Sequence, residues 1–207
     1  MLTTAPAVPE DEYFLLSNLS PGRTQKRLAL AIVFSLLVVL YLVTGPLSGI
    51  KLGEINAFVA SYAAAMFTID SITAILLFAQ FSILRSRAIL VIANGYLFTA
   101  LIVGAWILAF PGVFAPNGLI GGLQSTAWLY VVWHCGFPLF VIGYALLKDP
   151  DPGKQVWPGT VGAAIALSVA LTVAIVAAAV FVCVAVEPSL PHLMVDPSHF
   201  SSLWPFL

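Results

Sequence analysis

Two ionisable side chains, Asp70 and His134, stand near the middle of long apolar runs. A carboxyl group and an imidazole held together there could exchange a proton or hold a small ligand between them. Titratable groups in hydrocarbon are costly unless they pair or line a pathway, and each is the other's nearest candidate partner by depth. A hydrogen-bonded Asp70–His134 pair is therefore the sharper expectation. The plainer one is that each bonds separately to Ser, Thr or backbone groups and only fixes packing. Further polar groups surround them. Gln80 and Asn94 fall toward the cytoplasmic side, while Gln124, Ser125 and Thr126 open a later apolar run from the outside. Asp70, Thr73, Leu77, Gln80 and Leu84 follow a three-to-four spacing, which puts Asp70 and Gln80 on roughly one helix face. Trp128, Trp133 and His134 could form a pocket for a small ligand, with His134 as donor or metal ligand, or simply pack as membrane aromatics.

Metal and redox chemistry find little support. His192, Asp196 and His199 near the C-terminus are types that bind zinc or copper, but they have neither the helix nor the tight spacing of a metal site and read as loop residues. Haem held between two histidines would need a second histidine within the apolar runs. Cys135 and Cys183 are far apart in the sequence and read as small buried hydrophobes. No cofactor and no metal are expected.

The elements that must position these residues follow from composition. The chain has 207 residues, 61% hydrophobic and 8% charged. A soluble domain carries about 25% charge, so this surface must be covered largely by lipid. The net charge of −1 argues against nucleic acid as a partner. Spanning hydrocarbon takes about 20 apolar residues in a helix, and about five segments qualify: residues 28–43, 56–84, 88–110, 119–147 and 158–186. Alternation of period two is absent, which excludes a membrane barrel. The expected fold is an all-α polytopic bundle of about five transmembrane helices. Residues 1–27 are expected to be a cytoplasmic tail, residues 28–186 the membrane domain, and residues 187–207 a proline-broken extracytoplasmic segment.

Orientation follows from the basic residues. Arg23, Lys26, Arg27, Arg85, Arg87, Lys148 and Lys154 fall on one side if the helices alternate, and Lys51 on the other. The richer side is expected to face the cytoplasm of a bacterial inner membrane, with the N-terminus inside and the C-terminus outside. Trp157 and Trp204 are placed as interfacial aromatics. In the last span Gly162, Ala166, Ala170, Ala174 and Ala178 recur every four residues. Such a small-residue stripe lets two helix backbones approach closely. It is expected to face the bundle, with a second copy of the same helix as the other partner considered.

Several catalytic classes lack their residues. There is no G-x-x-x-x-G-K phosphate loop and no G-x-S-x-G nucleophile turn. No inverted repeat or charged pathway of a pump is evident. No enzymatic activity is expected.

One combination of residues is familiar. FTIDSITAILLFAQF at residues 67–81 is followed by Arg85, by Asn94-Gly95-Tyr96 and by Phe110-Pro111-Gly112. Gly121-Gly122-Leu123-Gln124, Trp128, Trp133-His134, Pro138 and Tyr144 then follow. Over about residues 31–186 this resembles the bacterial membrane-associated sensor domain of the MASE family, type four. The resemblance implies a sensory input module, usually coupled to a GGDEF diguanylate cyclase or a histidine kinase. The matching residues that carry over as ligand-binding or signalling candidates are Asp70, Gln80, Asn94, Gln124, Trp133 and His134. Family domains are expected to continue through further helices and return to the cytoplasm. This sequence shows no output domain, so a stand-alone copy or a fragment is expected. Its partners would be the lipid bilayer, an unidentified small apolar ligand, and a second copy or a cytoplasmic effector. The alternatives are a small-molecule or ion transporter and a truncated remnant without activity.

Overall fold

A computed structural model describes residues 22–47, 56–148, 157–196 and 199–201. Residues 1–21, Lys51, Lys154, Trp204 and the side chains of Asp196 and His199 lie outside the described residues. The chain forms two units, Met1–Glu54 and Ile55–Leu207. The first contains α1 (Arg23–Thr44), whose first turn is closed by the Gly22 N–H donating to Gln25 Oε1 at 2.9 Å.

The second unit holds α2 (Asn56–Leu84), α3 (Arg87–Ala109), α4 (Leu123–Leu147) and α5 (Val161–Ala185). A single 3₁₀ turn, Glu187–Ser189, follows, then a short hairpin of β1 (Met194–Asp196) and β2 (His199–Phe200). All five α-helices are long and apolar enough to cross a membrane. The protein is thus an all-α, multi-pass membrane protein. The segment after α5, expected as a separate extracytoplasmic piece, belongs to the same compact unit as the bundle.

α3 is the central helix. It packs against α2, α4 and α5, whereas α2 and α4 flank it and share little contact. One core cluster combines Phe98, Ile102, Val103 and Trp106 of α3 with Leu129 and Trp133 of α4 and Val176 and Cys183 of α5. At the other end Phe81, Leu90 and Ala164 form a second cluster with Trp157 packed against it. In lipid the hydrophobic effect does not drive helices together, so close packing and interhelical hydrogen bonds must do so.

α2 and α3 are joined by only Arg85 and Ser86. Arg85 takes the left-handed conformation (φ 51°) that commonly ends a helix. Its carbonyl accepts from the Trp157 N–H at 2.8 Å, tying the entry to α5 onto this turn. α4 begins at Leu123 rather than 119. Gly118 (φ 88°) and Gly121 (φ 64°) break the helical path, and the Leu119 N–H donates to Leu108 O at 2.7 Å instead.

The small-residue stripe of α5 does not face the bundle. Gly162, Ala166, Ala170, Ala174 and Ala178 are all exposed. Ala164, Thr172, Val176 and Cys183 are buried instead, with Ser168 half-buried. The two rows are two residues apart, or about 200° around a helix of 3.6 residues per turn. The inward face was chosen by the threonine, which needs a polar partner, rather than by the smallest residues. Ala170→Leu is therefore expected to change stability by less than about 0.5 kcal/mol, as exposed substitutions usually do. Thr172→Val should cost about 1–3 kcal/mol, because it strands a buried acceptor on α3. Unfolding in mixed micelles measures both; a costly Ala170→Leu beside a silent Thr172→Val would reverse the assignment of faces.

Candidate functional site

The candidate residues fall into two polar layers and one outlying group. The deeper layer is built on α3. Asp70, midway along α2 and 7% exposed, lies beside the Thr99 side chain of α3. The Thr99 hydroxyl donates to Tyr96 O at 2.9 Å. On another face of α3, Asn94 Nδ2 donates to Leu90 O at 2.7 Å, and its Oδ1 accepts from Thr172 Oγ1 of α5 at 2.9 Å. Residues 94 and 99 are five apart, about 140° around the helix. α3 thus turns one polar group toward α2 and ties another to α5.

The Asp70–His134 pair does not form. No hydrogen bond or ion pair joins the two, because α3 stands between their helices. His134 is exposed, and its Nδ1 lies 2.8 Å from Tyr130 O of its own helix. Its ring stacks on Tyr130 with centroids 3.7 Å apart. Pro138, four residues on, lacks the N–H that would bond to the His134 carbonyl. Trp133 is buried in the main core, its ring centroid 6.2 Å from that of Trp106. It acts there as a packing residue beside α3. Gln80 is half-buried, and its side chain makes no hydrogen bond among the described residues.

The outer layer lies at the start of α4, where three consecutive side chains reach three different elements. Gln124 binds the segment after α5: its Oε1 accepts from the Leu193 and Met194 N–H groups at 2.8 and 3.3 Å, and its Nε2 donates to Met194 O at 2.6 Å. Ser125, fully buried, places Oγ 2.9 Å from Cys183 O of α5 and 2.6 Å from Glu187 Oε2. Thr126 Oγ1 lies 2.9 Å from Ala109 O, at the end of α3, and 2.9 Å from Gly122 O. Each residue advances about 100° around a helix, so three in a row sweep the faces toward the tail, α5 and α3. A turn further along, Trp128 Nε1 donates to Pro191 O at 3.1 Å. Among the described residues no buried side-chain polar atom lacks a partner.

This junction joins Gln124 and Ser125 to Glu187, Leu193 and Met194, none of which was named among the site candidates. Thr99, Thr172 and Glu187 left one usable signal each. The threonines are hydroxyls on helices neighbouring Asp70 and Asn94, and Glu187 is the first charge after a long apolar run.

A helical membrane domain whose central helix is tied to its neighbours by buried polar groups is the class that fold and site define. Residues 54–206 match the family MASE4, described as a membrane-associated sensor, integral membrane domain. The match covers most of the chain, and the chain belongs to this family. It extends further toward the C-terminus than the sequence resemblance did and begins after α1, so the tail held by Gln124 lies within the family's domain. No curated protein and no solved structure matches the chain.

Proposed function

We propose that this chain is a sensory input module that works through the outer junction of α4. The observation that carries the reading is the triplet Gln124, Ser125 and Thr126, which links the tail, α5 and α3 within one helical turn. A small rotation or shift of α4 would break or remake all three links together. Bistable packing of this kind converts a local event into a movement of helices. α3 would pass that movement on to α2 through Thr99 and Asp70. The receiver would be a cytoplasmic effector, and the protein itself would carry out no catalysis.

The orientation suited to this role has the N-terminus in the cytoplasm of a bacterial inner membrane and the C-terminus outside. The distribution of Lys and Arg supports it. A reporter fused after Leu207 should then be active only when it works outside the cytoplasm; a cytoplasm-active fusion would reverse the arrangement.

The functional reading is tested in a family member that carries a cytoplasmic output domain, at the positions equivalent to Ser125 and Asp70. Ser125→Ala and Asp70→Asn should each shift basal output severalfold, while a change at the position of exposed Ala170 should not. Unchanged output in both would reduce the two layers to structural ties.

A further inference from the structure

We propose that the outer end of α4 is a groove for an extended peptide, which the chain fills with its own residues 191–194. Among the described residues, every polar contact to this strap is made to its backbone, the bond from the Ser201 N–H to Leu193 O at 2.8 Å included. Gln124 accepts from the Leu193 and Met194 N–H groups and donates to the Met194 carbonyl, as a neighbouring β-strand would. Trp128 donates to the Pro191 carbonyl. Only one strap side chain is sunk completely: Leu193 is 0% exposed, whereas its neighbours His192 and Met194 are exposed and half-buried. Side chains of extended chain alternate in direction, so one apolar socket beside a row of main-chain partners suits a strap of this form. Peptide-binding domains that use main-chain pairing follow the same division, with backbone bonds supplying affinity and a side-chain pocket supplying selectivity. The chemistry fixes a ligand class: an extended peptide with a large aliphatic residue at the position of Leu193 and little restriction beside it.

The groove is built to be vacated without dismantling the helices. The base of the strap is held separately, by Ser125 against Glu187. Loss of the Gln124 and Trp128 bonds frees the strap from α4 beyond that point. A tethered occupant has an effective concentration of roughly millimolar, so free peptide competes poorly until the strap is weakened. This names a ligand class for the site under Proposed function and takes its biological meaning from that reading. Binding and output are measured separately, so peptide binding without a change of output would overturn the sensing role and leave the groove standing.

The probe is a fluorescent peptide of the chain's own residues 189–196, SLPHLMVD, added to the full chain in lipid nanodiscs. Leu193→Ala should weaken the strap and raise peptide affinity at least tenfold over the unaltered chain. Adding Gln124→Ala should abolish that gain, and a probe with Asp in place of the Leu193 equivalent should not bind. The proposal is overturned if the Leu193→Ala chain takes no peptide, or if the variant that also lacks Gln124 binds it equally well. A second measurement keeps the native strap. A nitroxide on Val195→Cys, in a chain with Cys135→Ser, should become more mobile on adding millimolar unlabelled peptide. An unchanged spectrum would overturn the displacement.

Discussion

Gly95→Ala is expected to force α3 and α4 apart and to cost about 1–3 kcal/mol, the usual penalty for overfilling a packed core. The helices meet through two reciprocal notches. A Cβ on Gly95 would lie 2.8 Å from Phe140 Cβ and 3.1 Å from its Cγ. A Cβ on Gly136 of α4 would lie 2.5 Å from Phe98 Cζ. Each helix thus offers a glycine to a phenylalanine of the other, and the two rings sit 5.5 Å apart. The notches differ in how they can yield. Phe140 Cβ is fixed to the backbone of α4 and moves only with that helix. The tip of Phe98 can swing, although the ring is buried. Gly95→Ala should therefore be the costlier change. The double variant should cost less than the sum, because both substitutions open the same gap. Unfolding of the purified protein in mixed micelles measures this. A Gly95→Ala protein as stable as the original would mean that the helices are not held at this distance.

Gly121→Ala should also be severe, and its cost can be divided. Gly121 has φ 64°, and a Cβ there would fall 2.3 Å from Ser125 Oγ and 2.6 Å from Ser125 Cβ. A side chain pays roughly 1–2 kcal/mol for the left-handed backbone alone. The clash adds to that and pushes the serine away from Cys183 and Glu187. In a chain already carrying Ser125→Gly, the serine clash is gone, and the backbone cost and a tight approach to Val184 Cγ2 at 3.3 Å remain. The double-mutant cycle should thus show a favourable coupling between the two positions. Independent effects would show that the turn does not bear on the serine.

These effects explain what could be read in the sequence. Helix number and approximate ends were legible because apolar length and breaks such as Pro111-Gly112 report directly on spans. Depth was legible too: Asp70 lies mid-helix, and Gln124 begins its helix. Azimuth was not. These helices are apolar all round, so periodicity gives no preferred face. His134 and Asp70 were accordingly matched by depth while α3 lay between them. On α5 the alanines are too numerous to mark one face, and the informative residue was Thr172. The fold-back of the tail was hidden by its prolines, and among the described residues Leu193 is its one fully buried side chain.

The two-residue link between α2 and α3 bears on how this chain enters a membrane. Helices joined so closely arrive in the bilayer as one hairpin. The hydroxyl beside Asp70 belongs to Thr99, on the other arm of that hairpin, so the costliest side chain gains a polar neighbour as soon as its own hairpin closes. Asn94 must wait for Thr172, which is synthesised 78 residues later. Local pairings form before distant ones because they close shorter loops. Assembly is thereby ordered: the acidic residue is sheltered first, and the amide holds a vacancy for α5 that the last helix completes.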